Sequence, residues 1–285
     1  MTHARTTQPL EPDLIFGTIE GVTWSAAVLD ARTGETLFEH EPLFQLRTAS
    51  VGKLFLLVEV ARQIEAGELS LDERIERSAA LAVADSGLWH VLGVDDLSIG
   101  DACSLIGAVS DNLATNVLLE RIGLGAVTAT TLAIGVTRSA LLDRVREDRL
   151  PQHPRTLSHG SAGELAVFLA RLYDGLVVSP AISRRVLDWI ALNTDLSMVA
   201  SAFGLDPLAH AEEDRGVRLW NKTGTTSTAR IDVGVVECGG RAIAYAVLAN
   251  WEATRPHQQR ADPRRAVLGR MTEIGEWLRT ELGAP

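Results

Sequence analysis

Apolar and polar positions fall into two textures along this chain. Trp24 to Leu29 is a run of apolar and small residues, Asp30-Ala31-Arg32-Thr33-Gly34 supplies turn chemistry, and Glu35 to Phe38 returns. Residues 22–40 therefore predict a β-hairpin. After Thr48 the period lengthens. Leu54, Leu57, Val58 and Val60-Ala61 form a stripe at helical spacing. Further helical segments are predicted over roughly 100–123 and 161–176, with another around 180–192. From Arg218 the strand period resumes, at Arg218–Lys222, Ile231–Glu237 and Ala242–Asn250, with Gly239-Gly240 as a hairpin turn between the last two. A closing helix over about Arg264–Leu282 carries Val267, Met271, Ile274 and Leu278 on one side.

Strands at both ends with helices between predict an α/β fold of the α+β type. An antiparallel sheet from the two chain ends is flanked by helices and accompanied by an all-helical lobe. The expected division is 1–47 with 205–285 for the α/β lobe and 48–204 for the helical lobe. A cleft between lobes is a usual place for a small-molecule site.

Composition narrows the picture. A chain of 285 residues, 46% hydrophobic, buries a sizeable core. Its formal charge of -10 argues against nucleic acid or an anionic membrane as partner, although it also serves plain solubility. No apolar run approaches a membrane span. The first residues, with Arg5, Pro9, Glu11 and Asp13, lack the basic-then-apolar order of a secretory leader, so a cytoplasmic location is expected unless a leader has been removed. Cys103 and Cys238 are expected as reduced thiols. Neither lies in a Cys-x-x-Cys pattern, and no His/Asp/Glu cluster has metal-ligand spacing, so no metal and no cofactor are expected.

Three short motifs carry the chemistry: Ser50-Val51-Gly52-Lys53, Ser110-Asp111-Asn112 and Lys222-Thr223-Gly224. Each alone fits an ordinary structural part. The first reads as a helix cap with a solvated lysine, the second as an N-cap, the third as a lysine guarding an edge strand. In chemical terms, Ser50 and Lys53 share a helix face. A serine hydroxyl needs an adjacent base, and a lysine becomes one when burial and nearby positive charge lower its pKa. A serine at a helix start also has unpaired backbone N–H groups beside it, which stabilise an oxyanion. His153, His159, His210 and His257 lie in polar, loop-like stretches, and no G-x-S-x-G elbow surrounds any serine to build a Ser-His-Asp triad with them.

Together, in this order, the three motifs resemble the class A β-lactamases and penicillin-binding proteins, a family of serine hydrolases, over nearly the whole chain. Ser110 follows Ser50 by 60 residues (110 − 50), close to the family's spacing, and the match extends through Leu113-Ala114-Thr115-Asn116. The resemblance implies a β-lactamase-like fold and an acyl-enzyme on Ser50. Lys53 is the implied base, and Ser110 passes a proton to the leaving nitrogen. Asn112 is implied to bond Lys53 and a substrate amide, and Asp111 to hold its own loop. Lys222 fixes charge near Ser110, and Gly224 lets substrate approach the strand. The N–H of Thr225 completes an oxyanion hole, and Thr223 and Thr225 hold a substrate carboxylate. Arg230 is a candidate partner for that carboxylate, or else a surface arginine facing Asp232 or Glu237. Some class A enzymes bridge a position like Cys103 to one that is Leu57 here, so that disulfide is not expected.

The family's deacylating glutamate lies on a loop of the form E-x-x-L-N. Glu147-Asp148-Arg149-Leu150-Pro151 is the best match, 37 residues past Ser110 (147 − 110). Proline replaces the asparagine that helps hold the water, and it has neither a polar side chain nor an N–H. Glu147 is thus a candidate catalytic base or a surface residue of a charged run, and Glu164, inside an apparent helix, is the weaker alternative. The expected substrate is a small molecule with a carboxylate and an amide or lactam. The other readings are an acyl-trapping penicillin-binding protein and an intracellular biosynthetic esterase or amidase of the same fold.

Overall fold

The structure is a computed structural model that describes residues 19–83, 85–253 and 262–285. Arg5, Pro9, Glu11, Asp13 and His257 lie outside the described residues. The central sheet has five strands, β1 (Val22–Asp30), β2 (Thr36–His40), β8 (Val217–Thr226), β9 (Ala229–Cys238) and β10 (Arg241–Trp251). Their order is β2-β1-β10-β9-β8, antiparallel throughout, so the first long strand pairs with the last and the two chain ends make one sheet. The turn joining β9 to β10 is Gly239-Gly240, both at positive φ (58° and 79°), as a two-residue hairpin of this hand requires.

Side chains alternate cleanly across the sheet. On β10, Ala242, Ala244, Ala246 and Leu248 face one core cluster, and Ile243, Tyr245, Val247 and Ala249 face a second. The second cluster is closed by the helix α7 (Arg264–Leu282), through Val267, Met271, Ile274 and Leu278. The short 3-10 turn Val199–Phe203 packs on that same side. The first cluster continues into the helices α1 (Lys53–Glu65), α2 (Ile99–Val109), α3 (Asn112–Ile122), α4 (Leu124–Ala133), α5 (Ala162–Tyr173) and α6 (Pro180–Ile190). Of these, α5 packs directly on β1, β9 and β10. One continuous core therefore joins the helices to the sheet's inner face.

Small strands of two to four residues pin the connections: β3 (Gln45–Arg47), β6 (Ala140–Leu141) and β7 (Ser158–Ser161) form one sheet, and β4 (Arg74–Glu76) pairs with β5 (Asp96–Ser98). Periodicity predicts one helical stretch over 100–123, and the structure divides it. Ser110 adopts a left-handed conformation (φ 56°, ψ 39°) that ends α2, and Asp111 caps α3. Cys103 lies in the first cluster and Cys238 in the second, both buried and both unpaired, with the sheet between their two cores. Among the described residues no helix is long and apolar enough to cross a membrane.

Candidate active site

Ser50 stands in a 3-10 turn, Ala49–Gly52, that runs straight into α1. In that tighter spiral residues three apart eclipse, so Ser50 and Lys53 share a face more closely than on an α-helix. The turn is clamped from two sides. Thr48 Oγ1 and Ser158 Oγ lie 2.7 Å apart, and Ser158 Oγ donates to the Ala49 carbonyl at 2.5 Å. A Cβ on Gly52 would collide with Ser158, and one on Gly224 would overlap the Thr48 carbonyl oxygen and lie 3.3 Å from the Ser50 backbone nitrogen. The strand β8 thus touches the nucleophile's turn, and Ala49 is held at φ 49°, a left-handed conformation unusual outside glycine. The room that Gly224 leaves in the side-chain direction is filled by the protein's own backbone.

Lys53 is wholly buried, and its Nζ donates to the Ser110 carbonyl (2.6 Å), to Ser110 Oγ (3.2 Å) and to Asn112 Oδ1 (2.8 Å). The first and second motifs therefore meet at one ammonium. Burial lowers the Lys53 pKa well below the ordinary lysine value, the nearby charge of Lys222 lowers it further, and Asp111 opposes both. Lys222 is also fully buried and donates to the Thr223 carbonyl at 2.9 Å. Burial pulls its pKa down to about 8, against the upward pull of Asp195 and Asp232.

Asp111 holds more than its own loop. Its Oδ1 caps α3 at the Ala114 N–H (2.9 Å), while Oδ2 accepts from Leu88 N (2.7 Å) and Trp89 N (2.8 Å). One buried carboxylate thereby locks the segment before α2 to the turn that presents Ser110. Thr194 donates from both its N (2.9 Å) and Oγ1 (3.1 Å) to the Ala108 carbonyl, and Asn193 Nδ2 donates to Asn221 Oδ1 at 2.9 Å. The segment Asn193–Asp195 so bridges the approach to Ser110 and the approach to Lys222. Asp195, half-buried there, is a site residue that sequence reasoning missed; only its place between the two motifs marks it.

Thr223 is buried and Thr225 is exposed at the open end of β8. Arg230 sits directly across from Thr225 on β9. Its Nη1 donates to the carbonyls of Thr226 (2.6 Å) and Ala229 (2.7 Å), and its guanidinium lies 5.9 Å from the Trp251 ring. It forms an ion pair with neither Asp232 nor Glu237. Asp232, two residues on along the same face of β9, is buried against the second cluster, where it accepts from Asn221 Nδ2 (3.0 Å), Tyr245 Oη (3.1 Å) and Ala200 N (3.2 Å), and burial pushes its pKa up to about 6.

Glu147 is exposed, on a loop that other residues anchor. Asn116 accepts from Val145 N (2.8 Å) and donates to the Val145 carbonyl (3.0 Å). Asp143 binds Arg146 and Arg149, each at 2.7 Å. The charged run around Glu147 is therefore an internally bridged loop, and Pro151 at its end is also exposed. Glu164 is accounted for otherwise: it accepts from the backbone N–H groups of Thr137 (2.7 Å) and Arg138 (2.9 Å). Among the described residues no group of three or more His, Cys, Asp or Glu could hold a metal ion.

A helix-start serine, a buried lysine, a second serine on a left-handed turn and a strand lysine, set between a helical lobe and a five-stranded antiparallel sheet, define a serine hydrolase of the class A β-lactamase type. Residues 13–273 match the β-lactamase enzyme family, and the chain belongs to it. Among solved structures, a β-lactamase from Sphaerobacter thermophilus DSM 20745 is 24% identical, with a TM-score of 0.79 and 95% of each chain covered. A variant of the last common ancestor of Gram-negative bacteria class A β-lactamase is 26% identical, with a TM-score of 0.73 and 92% of each chain covered. A variant of PBP-A, in acyl-enzyme complex with penicillin G, is 16% identical, with a TM-score of 0.76 over 95% of this chain and 94% of that one.

Proposed function

We propose that this enzyme works through an acyl-enzyme on Ser50 and hydrolyses a β-lactam or a related cyclic or linear amide. The observation that carries the reading is the convergence of Ser110 and Asn112 on the buried Nζ of Lys53, three residues from Ser50. Neutral Lys53 takes the Ser50 proton as Oγ attacks the carbonyl carbon. The oxyanion so formed is held by the backbone N–H groups of Ser50 and Thr225. On collapse the C–N bond breaks, Ser110 gives its proton to the leaving nitrogen, and the Lys53 ammonium, 3.2 Å away, restores it. Lys222, Thr223, Thr225 and Arg230 supply the positive, hydrogen-bonding end of the cleft for a substrate carboxylate. Water then releases the acyl group, with Glu147 as the candidate base.

The exposure of Glu147 and the proline at 151 favour a second reading, in which acylation is fast and release slow. The acyl-enzyme captured in the PBP-A variant shows that this fold supports such a species in that protein. Mass spectrometry of the protein mixed with a penicillin, followed over time, tests both. A transient adduct on Ser50 supports hydrolysis and a persistent one supports trapping. No adduct favours an esterase or amidase of the same fold acting on a different substrate, and an adduct that survives Ser50→Ala removes Ser50 as the nucleophile. The fold should tolerate that substitution, since replacing a helix-start serine costs only ~1 kcal/mol.

A further inference from the structure

A cavity of about 470 Å³ opens where the hairpin turn after β1, the end of α5, the first turns of α6 and the sheet edge meet. It shares no lining residue with the Ser50 site. Leu172, Leu187 and Trp220 form its apolar floor, and the Tyr173 and Trp220 rings meet edge to face at 5.7 Å. Three guanidiniums line it, those of Arg32, Arg184 and Arg218, against two carboxylates, Asp174 and Glu237.

Only one of the three is paired with a carboxylate. Arg32 donates to Tyr173 Oη at 2.8 Å, lies 5.4 Å from the centroid of that ring, and stands 3.6 Å from Glu237. Arg218 lies 5.3 Å from the Trp220 centroid, and although Glu237 faces it across the β8–β9 ladder, the two form no ion pair. Among the described residues Arg184 and Arg218 have no carboxylate within 4.0 Å. In a chain of net charge -10 this is a local excess of positive charge over an aromatic floor.

We propose that this cavity is a second binding site, for a small aromatic monocarboxylate. The ring lies on the Trp220–Tyr173 pair and the carboxylate takes the two guanidiniums that have no carboxylate partner. Arginine matches a carboxylate with two parallel N–H bonds, and a planar ring stacks on an aromatic–guanidinium wall. Three cations against two anions leave one charge to neutralise, which favours a monoanion over a phosphate. The volume suits a molecule of one or two rings.

Benzoate is the probe, titrated by calorimetry into wild type and variants, with benzamide as its uncharged counterpart. The expected result is saturable benzoate binding, at least tenfold weaker in the Arg184→Ala/Arg218→Ala double variant and unchanged in Arg230→Ala. Benzamide should bind at least tenfold more weakly than benzoate to wild type. Three results overturn the proposal: no saturation below ~10 mM benzoate, a binding free energy weaker than ~3 kcal/mol; equal binding by wild type and the double variant; or loss of binding in Arg230→Ala, which would place benzoate in the Ser50 cleft. Unchanged circular dichroism and thermal midpoint of the double variant separate lost binding from lost fold.

Discussion

The tightest test of how the fold makes the nucleophile is Gly224→Ala. The backbone conformation at Gly224 is ordinary strand, so alanine brings no φ penalty and the effect is purely steric. Its methyl would overlap the Thr48 carbonyl oxygen and press at 3.3 Å on Ala49 Cβ and the Ser50 nitrogen. None of these atoms is the far end of a flexible side chain; the obstacle is backbone, and Ser158 backs it from the other side through Thr48 Oγ1 and the Ala49 carbonyl. Overpacking of this kind costs ~1–3 kcal/mol, and each kcal/mol lowers the thermal midpoint of a protein of this size by ~2–4 °C. Activity should suffer more than stability. The strand and the Ser50 turn separate by several tenths of an ångström, and a displacement approaching 1 Å at a reacting centre costs ~10²-fold. The assay pairs a thermal melt with the single-turnover acylation rate of Ser50 by a penicillin. A drop of ~10- to 100-fold in acylation with a loss of a few degrees is expected. Wild-type acylation with an unchanged melt would refute the contact between β8 and the nucleophile's turn.

Other outcomes follow from the buried charges. With the Lys222 pKa pulled down to about 8, its charge is lost as pH rises through that value, so kcat/KM for a carboxylate-bearing substrate should fall above pH ~8. Asp195 holds that pKa up, so Asp195→Asn should move the limb to lower pH; an unmoved limb refutes the coupling. Asp232, raised to about 6 in the fold from an ordinary 3.8, binds its proton more tightly folded than unfolded. It therefore costs up to ~3 kcal/mol above pH ~6, a cost that vanishes as pH falls toward 4. The stability of wild type relative to Asp232→Asn should rise over that acid interval in urea melts, and a flat difference would refute it. Asp111→Ala removes an acceptor shared by three backbone N–H groups and should cost ~3 kcal/mol or more, with faster amide exchange at Leu88 and Trp89; a loss under ~1 kcal/mol would refute the lock.

The elements with strong periodicity were legible from the residues alone. The hairpin of β1 and β2, the three long strands at the C-terminal end and α7 fall where alternation and helical stripes put them, because burying one face of a strand or helix imposes its period. Less was legible where the signal is conformational. Nothing in the apolar pattern of 100–123 says that Ser110 turns left-handed, since the break is set by what Asp111 grips at Leu88 and Trp89, more than twenty residues earlier. The tiny strands β3, β6 and β7 are too short for any period to show, yet they brace the Ser50 turn.

The site divides the same way. Sequence alone determines which groups are present, because S-x-x-K, S-D-N and K-T-G are local strings whose residue types carry the chemistry. It does not determine their state. Lys53 and Lys222 lose their water, and with it their ordinary pKa, only when α1 and β8 pack against each other's lobes; desolvation is a property of the assembled core. Asp195 and Gly224 acquire their roles the same way, one from the bridge between Ala108 and Asn221, the other from a carbonyl oxygen that the fold lays against it. A string of residues lists donors, acceptors and charges. Only the tertiary structure decides which of them meet, and how far from water.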